Sequence, residues 1–285
     1  MNDILMQIRS DLPSFSKGQK RIANYILESY DKAAFMTASR LGKMVEVSES
    51  TVVRFAVELG FDGYPSMQKT LQELVRNKLT SVQRIEVTND RLGNQDVVST
   101  VLQGDIDSIR MTSEALSRAE MDASVQAMLK AKTIYIVGVR SSASLAAFLN
   151  FYLRNMFDNV RLVGSTSTSE MFEQLLRVGK EDVVIGISLP RYSSRTVKLL
   201  QYAHDSGATV VTITDKPEAP GGKVADLVLC AKSNMVSFVD SLVAPMSVIN
   251  ALIVSVGLQQ EDSVAKTYED LERLWDEYDA FERVE

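Results

Sequence analysis

The sequence predicts two parts: an all-α N-terminal domain, followed by a doubly wound α/β domain with a parallel sheet of about five strands. From Ile4 to Lys78 apolar residues recur at three- and four-residue spacings, with no strand-like run. Beyond Lys132 the texture changes to short β-branched runs alternating with helical stretches. The 285 residues also exceed the roughly 100–200 of one typical domain.

The helical domain is expected over residues 1–78, with Ile22, Tyr25 and Ile26, then Leu41, Met44 and Val45, marking its inward faces. Residues 79–95 (LTSVQRIEVTNDRLGNQ) are polar, lack a strong helical stripe and end near Gly93 and Asn94, so they read as a linker. Helical pattern resumes at Val97, Val98, Val101, Leu102 and Ile106, opening the second domain at 96–262. Its strands are TIYIVG (133–138), NVRLVG (159–164), DVVIGIS (182–188), ATVVTIT (208–214) and ADLVLCA (225–231). Between them lie helical stretches at about 143–157, 169–178 and 193–206, with another at 241–258. Continuous apolar strands joined by helices of this length require right-handed crossovers and a parallel sheet covered on both faces. Residues 263–285 predict an acidic amphipathic helix with Val264, Tyr268, Leu271, Leu274, Trp275 and Tyr278 on its apolar side.

Composition places the chain among ordinary globular proteins, with 45% hydrophobic and 24% charged residues. The stretch 241–258 is uncharged but holds Pro245, Asn250 and three serines, and it reads as a buried helix rather than a membrane span. A single cysteine, Cys230, excludes an intrachain disulfide or a cysteine-based metal cluster. The first residues show no basic segment leading into an apolar core, so a cytoplasmic location is expected. The net charge is −6, yet residues 1–78 carry 11 Lys+Arg against 9 Asp+Glu, while the remainder carries 20 against 28. A mildly basic head on an acidic body is compatible with contact to DNA through the head alone.

The densest motif of the head is TASRLGKMVEVSESTVVRFAVELGF, Thr37 to Phe61. It predicts a helix from Ala38 to Met44, a turn over Val45–Val47, and a second helix capped by Ser48 and running through Leu59. Val52, Phe55, Ala56 and Leu59 share the inward face of that helix, leaving Glu49, Ser50, Val53 and Arg54 to solvent. Short hydroxyls and an arginine on the exposed N-terminal half suit the major groove of DNA. The candidate DNA contacts are Lys43, Ser48, Glu49, Ser50, Thr51 and Arg54, with Lys17, Lys20, Arg21 and Lys69 as flanking phosphate contacts.

In the α/β domain two loops follow strands and start helices: Gly138-Val139-Arg140-Ser141-Ser142, and Ser188 to Thr196 (SLPRYSSRT). Ligands of such sheets bind beyond the strand C-termini, where helix N-terminal amides and hydroxyls suit a phosphate. The candidate anion-binding residues are Gly138, Arg140, Ser141, Ser142, Arg191, Ser193, Ser194 and Thr196, with Arg195 a further cation. Asn234 to Ser241 is expected to close the pocket through Ser237 or Asp240.

SKGQKRIANYIL together with VSESTVVRFAVELGFDGYPSMQKTL resembles the N-terminal domain of RpiR-type (MurR/RpiR) bacterial transcriptional regulators. The loops GxxSS and PRYSxxT resemble the sugar isomerase (SIS) domain of the same regulators. The resemblance implies an operator-binding regulator of carbohydrate metabolism genes with a phosphosugar effector, a homodimer or homotetramer, and no cofactor, metal or membrane partner. It departs from the family in two places. Glu46 stands at a turn position often filled by glycine, at a cost on the order of 1 kcal/mol if φ is positive there. Where many SIS domains read Ser-x-Ser-Gly-x-Thr, Arg191 occupies the first serine position and Ser194 the glycine, which implies a different or more acidic ligand.

SIS domains also form sugar-phosphate isomerases, the alternative reading, and that chemistry needs an acid and a base within reach of the sugar. The sole histidine, His204, falls late in the helix after the second loop, and Glu170, Glu173 and Asp240 form no recognisable acid–base pair. Binding without turnover is therefore expected, with no catalytic residue.

Overall fold

The computed structural model describes residues 4–78, 80–92, 96–232 and 238–282. The chain divides into two compact units, with the main boundary between Val101 and Leu102.

The described elements of the N-terminal unit are helices: α1 (Ile4–Asp11), α2 (Lys17–Ala33), α3 (Ala38–Met44), α4 (Glu49–Glu58), α5 (Tyr64–Lys78), α6 (Ser81–Leu92) and the start of the helix that opens at Val97. Ser16 and Gln19 form a reciprocal capping box that starts α2, and Thr37 and Ser48 cap α3 and α4. One core joins Ile8, Ile22, Ile26, Leu41, Val52, Phe55, Met67 and Leu71, all fully buried, with Phe15 packed edge-on against Phe55. The expected positions of α3, its turn and α4 agree with the structure, including the inward set Val52, Phe55, Ala56 and Leu59.

The stretch 79–95, expected to be an irregular linker, instead contains helix α6. Its described buried positions are polar, Arg84 and Thr88 at i and i+4, while Val82 and Ile85 are exposed, so the inward face is not marked by apolar residues. Gly93 and Asn94 lie outside the described residues.

The second unit includes most of α7 (Val97–Ala115) and all of α8 (Arg118–Lys130), followed by β1 (Thr133–Gly138), α9 (Ser142–Leu153), β2 (Val160–Val163) and α10 (Thr168–Gln174). It continues with β3 (Asp182–Ile187), α11 (Ser194–Asp205), β4 (Thr209–Thr214), β5 (Leu227–Cys230), α12 (Val243–Gln259) and α13 (Glu261–Glu277). All strand pairs are parallel, in the order β2-β1-β3-β4-β5. Strand alternation divides the core. Ile134, Ile136, Val183 and Ile185 pack with α8, α9 and α12, whereas Tyr135, Val137 and Val184 pack with α10 and α11. The uncharged stretch at 241–258 corresponds to α12, which buries Ala244, Pro245, Val248, Ile249, Leu252, Ile253 and Val256. No single described helix is long and apolar enough to cross a membrane. The acidic C-terminal stretch is helical as expected, but none of the residues of α13 is fully buried.

Candidate functional site

Two sites emerge, one in each unit. In the head, the turn between α3 and α4 is set by a close approach: the Val47 N–H donates to the Gly42 carbonyl at 2.8 Å. A Cβ on Gly42 would lie 2.8 Å from the Val47 carbonyl oxygen, so only glycine fits there. Glu46, within the turn, has φ 54, the left-handed conformation that its position implied. Arg21 on α2 holds it by donating to the Glu46 carbonyl at 3.2 Å and to its carboxylate at 3.4 Å. Arg21 thus braces the turn, with its side chain still about half exposed.

The Thr51 N–H donates to Ser48 Oγ at 3.2 Å, and the Ser48 hydroxyl also lies 2.9 Å from that of Ser50 and 2.8 Å from that of Thr51. The N-terminus of α4 therefore presents three clustered hydroxyls, with Glu49 and Arg54 exposed beside them and Thr51 half-buried. The start of α2 lies alongside, since a Cβ on Gly18 would sit 3.5 Å from both Thr51 Cγ2 and Val47 Cγ1. Lys17, Lys20, Lys43 and Lys69 are all exposed. Gln19, close by, bonds to Glu58 at the far end of α4.

In the second unit β1 pairs with β2 on one side and β3 on the other, so the strand order switches between β1 and β3. Gly138 is in register with Ile187, and the two candidate loops therefore leave from neighbouring strand ends at the switch point. A Cβ on Gly138 would lie 2.6 Å from the Ser142 carbonyl oxygen and 2.9 Å from Ala146 Cβ, which fixes glycine at this strand-to-helix corner. Arg140 and Arg191, one in each loop, both adopt φ 58. Left-handed backbone at a non-glycine residue costs on the order of 1 kcal/mol and is concentrated at functional sites.

Serines at helix starts ordinarily cap the helix. Here Ser141 and Ser193 occupy the N-cap positions of α9 and α11, and neither makes a side-chain cap hydrogen bond. Ser141 and Ser194 are exposed, Ser193 is half-buried, and Ser142 and Thr196 are buried. Among the described residues the hydroxyls of Ser188, Thr196 and Thr212 are buried without a hydrogen-bond partner. Ser188 and Thr212 meet at Gly221, where a Cβ would come within 3.1 Å of Ser188 Cβ and 3.2 Å of Thr212 Cγ2.

Several features beside these loops were not singled out from the sequence. The loop after β2 and the first turn of α10, residues 164–170 (GSTSTSE), bring a third set of hydroxyls, with Ser165 bonded to Glu170 and Ser167 2.8 Å from Ser169. Arg195 donates to the Thr166 carbonyl at 3.2 Å and so ties this loop to the start of α11. Tyr192 donates to Asp215 at 2.7 Å, at the end of β4. Runs of serine and threonine directly after a strand were the available signal for the 164–170 loop; the Tyr192–Asp215 contact joins residues far apart in sequence and left none. Asp240 is half-buried, and Ser237 lies outside the described residues. His204 sits in the last turn of α11 with a side chain 47% exposed, 3.7 Å from Asp205 and 3.8 Å from Asp226. Burial raises the Cys230 thiol pKa, with Lys232 opposing and nearby carboxylates reinforcing the shift. No group of acidic, histidine or cysteine side chains among the described residues is arranged to hold a metal ion.

A family model described as a helix-turn-helix domain of the rpiR family matches residues 2–78, and the SIS domain model matches residues 127–255. The chain is 24% identical to an HTH-type transcriptional regulator of Caldanaerobacter subterraneus, over 94% of this chain and 95% of that protein. It is 25% identical to the HTH-type transcriptional regulator HexR of Pseudomonas aeruginosa, over 91% of each. Among solved structures, the sugar isomerase domain of an RpiR transcription factor from Sphaerobacter thermophilus superimposes with a TM-score of 0.60 at 24% identity, covering 63% of this chain and 99% of that one. The Vibrio vulnificus NanR protein complexed with ManNAc-6P gives a TM-score of 0.58 at 21% identity, covering 95% and 98%. A helix-turn-helix head followed by a parallel α/β SIS domain defines a class of two-part transcriptional regulators. The chain belongs to the RpiR family of that class.

Proposed function

We propose that this regulator binds operator DNA of carbohydrate metabolism genes through α4, and that a phosphosugar held by the loops after β1 and β3 controls that binding. The observation that carries the effector site is the pair of N-cap serines, Ser141 and Ser193, that cap nothing at adjacent strand ends. Their hydroxyls and the first amides of α9 and α11 offer donors to a phosphate, and Arg140 and Arg191 add charge. The structure of NanR, a protein of the same fold complexed with ManNAc-6P, supports a phosphosugar as the ligand class. Arg191 in place of a serine points to an effector that is different from, or more acidic than, those of many SIS domains. His204, at the opposite end of α11 from the loop, supports binding without turnover.

In the head, Ser48, Ser50, Thr51, Glu49 and Arg54 face base edges or phosphates in the major groove, while Lys43, Lys17, Lys20 and Lys69 position the duplex. The regulator acts in the cytoplasm as a homodimer or homotetramer. Leu102, Ile106 and Ile109 on α7, Phe151 on α9, and Val254 and Leu258 on α12 are exposed apolar side chains that suit a subunit interface.

The test is a thermal-shift screen of sugar phosphates and their unphosphorylated parents on the wild type and on Ser141→Ala/Ser193→Ala. Those alanines remove no cap bond, so the fold survives. A phosphorylated ligand at about 100 times its Kd should stabilise the wild type by roughly 2.7 kcal/mol, its parent sugar should not, and the variant should lose the response. Equal stabilisation of wild type and variant would remove the site from these loops.

A further inference from the structure

A cavity of about 440 Å³ opens at the other end of the sheet, where the strands begin, lined by Lys132, Thr133, Tyr135, Arg161, Arg177, Gly179, Lys180, Glu181 and Asp182. Four cations face two carboxylates across this lining. Both carboxylates are engaged. Glu181 lies 3.4 Å from Lys132 Nζ, and Asp182 accepts the Gly179 N–H at 2.9 Å. Arg161 and Tyr135 are cross-strand partners in the β1–β2 register, and the guanidinium stands over the ring, 5.7 Å from its centroid. The Lys180 stem rests against Gly207, where an added Cβ would lie 3.0 Å from Lys180 Cγ. Lys132 and Arg177 follow the C-termini of α8 and α10, where a cation complements the helix dipole. Arg161, inside β2, and Lys180, two residues before β3, have no such role.

We infer that this cavity is a second ligand site, separate from the loops after β1 and β3, that takes a small, multiply charged phosphate-bearing anion. Its volume falls in the range of small-molecule sites, roughly 300–1,000 Å³. The two guanidinium forks match the paired oxygens of a phosphate, the two ammonium groups add point charge, and the buried Tyr135 ring holds the Arg161 guanidinium at the lining.

Inorganic pyrophosphate, titrated into the full chain at constant ionic strength, tests the site by calorimetry and thermal shift. Saturable binding by the wild type is expected to persist in Ser141→Ala/Ser193→Ala and to weaken about tenfold or more in Arg161→Ala/Arg177→Ala. Arg177→Ala/Lys180→Ala, which leaves the stack on Tyr135 intact, should show the same loss and guards against a folding defect in the first variant. Absence of saturable binding, unchanged affinity in both cavity variants, or loss in the serine variant alone would each overturn the assignment.

Discussion

Tyr64 shows how a single side chain ties a pH response to the head. Its hydroxyl is buried and donates to the Met36 carbonyl at 2.7 Å, and burial pushes its pKa up from 10.0 to about 12. The raised value means that the folded state resists ionisation where the unfolded chain already ionises. The stabilising contribution is thus complete below about pH 10 and is lost as the pH climbs towards about 12. Tyr64→Phe should cost only about 0.5–1.5 kcal/mol at neutral pH, because Gln68 also donates to the Met36 carbonyl, at 2.7 Å. It should also flatten the alkaline fall. Urea midpoints of the helical signal at rising pH measure both; an equally steep fall in the variant would assign the alkaline transition to another group.

At the scale of elements, α4 is the piece of the head that is anchored by one face and leaves Glu49, Ser50 and Arg54 exposed on the other. Ser48 caps it, Val52, Phe55 and Ala56 anchor it, and Arg54 stands exposed on its outer face. Arg54→Ala should leave the melting temperature within the small range of surface substitutions and weaken operator binding by about 1–3 kcal/mol if the guanidinium reads a base. Fluorescence anisotropy with operator and scrambled duplexes separates the cases. Equal loss on both duplexes would make Arg54 a phosphate contact, and no loss on either would remove it from the interface. Elements with a clear hydrophobic period were legible in the sequence: the inward face of α4, and the β-branched runs of β1 and β3, where the sheet is covered on both sides. Helix α6 was not, because Arg84 and Thr88 occupy its described buried positions. At the candidate sites, composition announced the serine-rich loops. It could not announce that Ser141 and Ser193 leave their helices uncapped, or that Arg21 is held by Glu46, because both depend on tertiary placement.

For the whole molecule, the two units oblige any effector to act through linkage. A phosphosugar at the switch point between β1 and β3 can alter DNA binding only by the difference in its affinity for the states that bind and release operator. The relation is reciprocal. If saturating effector changes operator affinity by some factor, saturating operator must change effector affinity by the same factor, commonly about 5–150-fold for coupled sites. Calorimetric titration of effector into the regulator alone and into its operator complex supplies one factor, and anisotropy with and without effector supplies the other. Agreement would place both ligands on one conformational equilibrium. A change in operator affinity with no matching change in effector affinity would mean that the effector acts elsewhere or on the duplex itself. In Arg54→Ala the effector affinity measured without DNA should stay at its wild-type value, since α4 and the strand-end loops belong to separate compact units.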